Sequence, residues 1–224
     1  MATLVQIRRD IRYLFAKNER RRQNIDEEEL PIVSIVVAAY NEEDVIEEKI
    51  HNMLALDYPL NKREIIIGAD GSTDRTNEIV SAYKEKGIQL INYTDRGGKT
   101  NVLNRTIPVA KGEIVVLSDA NTMYSPDSLR KIVRYFRDSR VGGVCGELRF
   151  ICPDGKQETE TFYWKYEVFL KFLESKLGTV LGANGAIYAI RKELFEPIPP
   201  DTVIDDFLIG MNVKNKGYKI YYDS

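Results

Sequence analysis

Several apolar runs in this 224-residue sequence end in side chains that can hold phosphates or metals. The first closes on Ala39-Tyr40-Asn41-Glu42, the second on Asp70-Gly71-Ser72-Thr73-Asp74, and a later one on Asp119-Ala120-Asn121. Arg96-Gly97-Gly98-Lys99 lies between them, and Asp205-Asp206 stands near the far end. Singly, each pattern is weak. Asp70-Gly71 reads equally well as a turn, Asp119 with Asn121 as an Asx turn, and Lys99 as a solvated lysine behind two glycines. Asp205-Asp206 also fits a helix start, where the dipole favours acids. Gathered on one rim, the set suits a nucleoside diphosphate and a divalent metal. Asp119 and Asn121 offer hard oxygen ligands for Mg²⁺ or Mn²⁺. A cation there offsets the charge that builds on a departing diphosphate. Asp70 can accept hydrogen bonds from a pyrimidine or a ribose, and Lys99 adds a second positive charge.

Positioning these groups takes alternating strands and helices. Residues 32–39 form a short β-branched run of the kind found in buried parallel strands. Residues 42–56 follow with Val45, Ile46, Ile50, Met53 and Leu54 at helical spacing, and Asn41 is a candidate N-cap. The alternation repeats with strands at 64–69, 88–93 and 113–118 and helices at 74–86, 98–110 and 125–138, the last opened by Ser125-Pro126-Asp127. Such an order predicts an α/β fold with a parallel sheet, whose ligands collect at the carboxyl ends of the strands. Beyond Val141 the order loosens into strands at 144–151, 186–191 and 218–222 and an aromatic-rich helix at 161–176. A nucleotide-binding half over 31–121 and an acceptor-side half over 122–224 are expected within one domain. No G-x-G-x-x-G follows the first strand and no Walker A pattern occurs, which speaks against a dinucleotide or P-loop site.

Composition narrows the class. With 43% hydrophobic and 29% charged residues the chain reads as globular. A formal charge of −2 gives no general footprint for nucleic acid. Cys145 and Cys152 lack metal-ligand spacing and read as buried thiols of a reducing compartment. Residues 1–30 stand apart: Arg8, Arg9, Arg12 and Arg20-Arg21-Arg22 precede Asp26-Glu27-Glu28-Glu29. They form either a solvated helix and linker or a juxtamembrane segment on an anionic leaflet. No apolar run approaches the roughly 18 residues of a membrane span.

As an ordered set, residues 31–43, Asp70-Gly71-Ser72-Thr73-Asp74, residues 98–104 and Asp119-Ala120-Asn121 resemble family-2 glycosyltransferases with the GT-A fold. The branch is that of the membrane polysaccharide synthases, relatives of cellulose, chitin, hyaluronan and poly-N-acetylglucosamine synthases. Segments 141–146, 182–191, 204–210 and 217–222 extend the likeness to nearly all residues after 30. The resemblance implies a mostly parallel, Rossmann-like sheet flanked by helices, with a smaller acceptor-side portion. It also implies an inverting transfer from a UDP-sugar, with Mg²⁺ or Mn²⁺, to a saccharide or lipid-linked acceptor. Ala39, Tyr40, Glu42, Asp70, Lys99, Asp119, Ala120 and Asn121 become the donor-binding set, with Asp119 and Asn121 at the metal. Asp206 falls at the catalytic base and Asp205 beside it. Asn121 replaces the second Asp of the family's D-x-D motif, and Asp205 replaces the usual Glu. No Q/R-x-x-R-W element follows before Ser224, so the sequence is expected to be a piece of a longer enzyme attached at the cytoplasmic face of a membrane.

Other residues carry less. His51, the single histidine, fits a surface or half-buried helix position. Phe162, Tyr166, Phe169 and Leu173 recur at helical spacing and fit a core stripe, an acceptor-side surface or a membrane-facing one. Trp164 can stack on a sugar, and Asn184, between Gly182 and Gly185, can position an acceptor. Two rival functions remain, a nucleotidyltransferase and a non-catalytic nucleotide-sugar scaffold. The acidic Tyr40-Asn41-Glu42-Glu43 run argues against the first, because such enzymes carry a glycine-rich basic signature there.

Overall fold

The computed structural model describes residues 25–146 and 187–223. The expectations for residues 1–24, Cys152, the 161–176 helix with Trp164, and Asn184 lie outside the described residues.

Seven strands form one sheet in the order β3-β2-β1-β4-β6-β5-β7. They are β1 (Val33–Ala39), β2 (Arg63–Asp70), β3 (Ile88–Tyr93), β4 (Ile114–Asp119), β5 (Val141–Gly146), β6 (Ile187–Arg191) and β7 (Lys219–Asp223). The first four run parallel, and the continuous buried runs of β1, β2 and β4 fit strands covered on both faces. The strand order turns back between β1 and β4, which opens a crevice at their carboxyl ends. β6 pairs antiparallel with β4 and β5, while β7 returns parallel to β5.

Side-chain alternation in the strands divides the core into two layers. Val33, Ile35, Val37, Ile65 and Ile67 pack with α1 (Ile46–Leu54), α2 (Thr76–Ala82) and α4 (Ser128–Val133). Val36, Ile66, Val115 and Leu117 pack on the opposite face with α3 (Lys99–Thr106) and α5 (Asp205–Asn215). The period of two in each strand therefore decides which helix covers which residue. At Gly68 a Cβ would lie 2.4 Å from Val102 Cγ1, so glycine is what lets α3 lie close on β2.

The helices are shorter than their periodicity predicts. α1 starts at Ile46 rather than at 42, because Asn41 is not its cap. Asn41 instead adopts a left-handed φ of 52°, which asparagine tolerates better than most residues. α3 gives way to a 3₁₀ turn at Ile107–Val109, where Pro108 has no N–H to continue the ladder. α2 passes into a 3₁₀ turn that ends on Gly87, and α4 into one at Arg134–Arg137. β5 begins at Val141, three residues before the expected 144, and residues 147–151 fall outside the described part.

Candidate active site

The groups expected to do chemistry converge on the carboxyl ends of β1, β2 and β4. Ala38 pairs with Asp119 across β1 and β4, and Ala39 with Ala69 across β1 and β2, so the three strand ends are contiguous. Ala39 and Ala120 are buried at this end and offer the rim only backbone groups.

Asp70 closes β2 with 4% of its surface exposed. Its Oδ1 accepts the Gly97 N–H and its Oδ2 the Gly98 N–H, each at 2.8 Å. Asp70 therefore folds the glycine loop, a role its sequence context does not announce. Gly98 takes a φ of 82° immediately before α3, a conformation that favours glycine, and so delivers Lys99 as the first residue of that helix.

Lys99 Nζ lies 2.9 Å from Asp119 Oδ1 and 3.3 Å from Asp205 Oδ2. Partial burial opposes the lysine charge, but these two carboxylates outweigh it and hold its pKa above the ordinary value. α3 also braces the loop that leads to α5. Asn104 Nδ2 donates to the Ile198 carbonyl at 2.7 Å, and its Oδ1 accepts the Ile198 N–H at 3.0 Å. Thr100 Oγ1 donates to the Thr202 carbonyl at 3.1 Å.

Asp205 and Asp206 open α5, with Ile204 at the cap position and no side-chain cap bond. Both acids thus occupy the first turn, and neither serves as the N-cap. Asp205 is buried and Asp206 half-buried. Asp206 Oδ1 accepts the Phe207 N–H at 2.8 Å. Burial and the neighbouring Asp205 charge raise the Asp206 pKa above the usual carboxylate value, against the pull of that N–H and of Lys99. Glu42 is raised as well, first by burial and then by Asp119 and Asp74.

At the ends of β1 and β2, Asn41 Oδ1 accepts the Thr73 N–H at 2.8 Å and joins the loops that follow these strands. Glu42 N–H donates to Thr76 Oγ1 at 2.8 Å. The Arg96 guanidinium sits 4.0 Å over the Tyr40 ring, which makes a flat cationic and aromatic platform that the spacing of the two residues does not reveal. Asn121 is exposed beyond Asp119. His51 is exposed on α1, with Nε2 2.9 Å from the Tyr83 hydroxyl and away from the rim residues just described.

Comparison with known proteins places this arrangement in a class. The family model for glycosyl transferase family 2 matches residues 34–198, and the chain belongs to that family. The fold is that of the GT-A glycosyltransferases. The chain is 30% identical over 223 residues to poly-beta-1,6-N-acetyl-D-glucosamine synthase of Staphylococcus aureus, covering 96% of this chain and 52% of the relative. It is 33% identical over 162 residues to beta-monoglucosyldiacylglycerol synthase of Nostoc, covering 70% of this chain and 34% of the relative. The chain thus spans about half the length, or less, of the curated relatives it matches. Among solved structures, the mannosyltransferase PcManGT of Pyrobaculum calidifontis, in complex with GDP-Man and Mn²⁺, aligns with a TM-score of 0.77 and 27% identity. That alignment covers 99% of this chain and 64% of the other. S. aureus TarS in complex with UDP-GlcNAc aligns at 0.64 and 19% identity, over 86% and 56% of the two chains, and supports the fold alone. Family membership sets the nucleotidyltransferase alternative aside.

The donor set at the rim fits a divalent cation of a particular kind. Among the described residues no group of three or more His, Cys, Asp or Glu can hold a metal. Asp119 and Asn121 alone offer too few ligands for a protein-only site. Mg²⁺ and Mn²⁺ characteristically take one or two carboxylates and complete their shell with substrate phosphates and water. The residues present therefore fit a cation that arrives with a diphosphate.

Proposed function

We propose that this chain carries the donor site and catalytic base of an inverting glycosyltransferase, which moves a sugar from a uridine diphosphate sugar to a hydroxyl of a saccharide or lipid-linked acceptor. The observation that carries the reading is the Asp119–Lys99–Asp205 bridge. It joins the donor rim at β4 to the helix start that bears Asp206.

In this reading Asp119 and Asn121 hold the cation, which supplies Lewis-acid help with departure of the diphosphate. The Tyr40–Arg96 platform and the Asn41–Thr73 junction receive the nucleoside, over the loop that Asp70 holds. Lys99 faces the diphosphate and compensates its charge. Asp206 takes the proton from the acceptor hydroxyl as that oxygen bonds to the anomeric carbon and the bond to the diphosphate breaks on the opposite face. Asp205 keeps Lys99 in place beneath both events. Among the described residues no helix is long and apolar enough to cross a membrane. Attachment of the whole enzyme to a cytoplasmic membrane face, drawn from the family resemblance, is part of the proposal. Fractionation of the native protein with membranes is its check.

The test is release of free nucleoside diphosphate from UDP-sugars and GDP-sugars, with and without Mn²⁺, in the presence of saccharide acceptors. Metal-dependent release that needs Asp206 supports the reading. Donor binding without turnover by the full-length protein would leave a scaffold.

A further inference from the structure

The inner face of α1 grips the loop that follows β4. Lys49 lies on this helix with 0% of its surface exposed. Its Nζ donates to Ser118 Oγ at 2.6 Å and also to the Thr122 carbonyl. Those two partners flank the Asp119-Ala120-Asn121 triplet, one on each side. The same nitrogen stands 4.0 Å from the centre of the Tyr124 ring. One helical turn later, Asn52 engages both backbone polar groups of Tyr124. Its Nδ2 donates to the carbonyl at 2.9 Å and its Oδ1 accepts the N–H at 2.8 Å. The Tyr124 hydroxyl returns to the Leu117 carbonyl at 3.2 Å, so the loop is tied at both ends and to the helix below.

Packing alone does not call for this arrangement. Lys49 sits between Ile46, Ile50 and Met53, all fully buried, where an apolar side chain of similar volume would avoid the cost of desolvating an amine. What the lysine adds is donors on both flanks of a triplet whose other ties include the Ala38–Asp119 strand pairing, the Lys99–Asp119 ion pair and the Ser118 hydroxyl on the Asp119 carbonyl. Within the loop itself, Thr122 N–H reaches the Asp119 carbonyl at 3.3 Å.

We propose that Lys49 and Asn52 are positioning residues, which fix the 119–121 loop so that Asp119 and Asn121 can take up a divalent cation together with a nucleoside diphosphate. The inference rests on the donor-site reading above. Neither residue touches the ligand. They act through the backbone that carries the ligating side chains, as outer partners of metal ligands do.

The experiment titrates the chain with UDP and with GDP, each with and without Mn²⁺, by calorimetry. Lys49→Met keeps the volume of the stem and removes the donors. Asn52→Ala, at a half-buried position, serves as the second variant if Lys49→Met does not fold. In either folded variant the Mn²⁺-dependent gain in nucleotide affinity is expected to fall about 10–100-fold, the range for outer-shell partners of metal ligands. Affinity without metal stays at the wild-type level, and amide exchange accelerates over residues 119–124 alone. A residue that only stabilised the fold would weaken both arms together. A folded variant with the wild-type metal-dependent gain, or one that loses the metal-free affinity to the same extent, overturns the proposal. A wild-type chain that binds neither nucleotide under any condition would overturn the donor-site reading, and this inference with it.

Discussion

Lys99 Nζ stands 2.9 Å from Asp119 Oδ1, so the ammonium from the start of α3 rests against the carboxylate that ends β4. Asp205 Oδ2 lies 3.3 Å from the same ammonium, so the charge is shared between the end of β4 and the start of α5. Lys99→Met should weaken nucleoside diphosphate binding by about 10–100-fold, the equivalent of one charge-assisted hydrogen bond of about 1.5–3 kcal/mol. Binding titrations at low and high salt check this. Because Lys99 is partly exposed, its contribution should shrink as salt rises.

A second expectation concerns the cation. With Asp119 and Asn121 as its protein ligands, Mn²⁺ alone should leave the melting temperature nearly unchanged. UDP-sugar alone should also do little, and the two together should raise it by mass action. At a ligand concentration about 100 times the dissociation constant, that gain corresponds to about 2.7 kcal/mol. Asp119→Ala should remove the cooperative part. Equal stabilisation by the nucleotide in chelator would remove Asp119 and Asn121 from the metal assignment.

Burial pushes the Lys49 pKa down to about 7 from 10.5, with the Asp119 charge opposing the shift. The sign of the linkage follows. Between those two values the unfolded chain binds the proton and the folded chain does not, so stability rises with pH across that window. Urea unfolding at pH 7 and pH 9 should therefore show wild type gaining stability relative to Lys49→Met as pH increases. A difference between the two proteins that does not vary with pH would mean that the buried amine keeps an ordinary affinity for its proton.

Much of this molecule was legible in the sequence, for physical reasons that also mark where legibility ended. β1, β2 and β4 are buried on both faces, and their continuous β-branched runs record that directly. The polar residues after each run mark the strand ends, and the family resemblance assigns roles to them. Long-range partners leave no such mark. Nothing in the spacing says that Asp70 spends both oxygens on Gly97 and Gly98, or that Asn41 reaches Thr73 instead of capping α1. The antiparallel insertion of β6 between β4 and β5 is likewise a matter of tertiary order, which local pattern does not encode. Lys49 did leave a signal: it lies three residues after Ile46 and four before Met53, a basic residue inside the apolar stripe of α1. A basic nitrogen on the buried face of an amphipathic helix calls for hydrogen-bond partners, and here the partners flank Asp119-Ala120-Asn121.

Asp206 is where function and stability should part. A base for the acceptor proton must be ionised when the substrate binds. Burial and the Asp205 charge raise its pKa in the folded protein. The acidic limb of the kcat/KM profile should therefore lie above the pH of an ordinary aspartate, with activity rising as Asp206 loses its proton. The same shift fixes the sign for folding. A carboxylate whose pKa is raised in the native state stabilises the fold below its unfolded value, and that contribution is lost as pH climbs through the folded value. At neutral pH the ionised Asp206 is thus a cost. Asp206→Asn removes the charge and keeps an oxygen that can accept the Phe207 N–H. It should lower transfer by about 10²–10⁴-fold, the range for loss of a general base, with donor affinity little changed. It should also raise the melting temperature at pH 7 and leave it unaltered near pH 3, where the wild-type side chain is already neutral. Asp205→Asn should behave differently, because it loosens Lys99 and should weaken donor binding before it slows the chemistry. Steady-state transfer and thermal melting are the two measurements that check this. Near-wild-type turnover by Asp206→Asn, with donor binding verified, would move the base to another residue, while a lower melting temperature at neutral pH would reverse the assigned electrostatics.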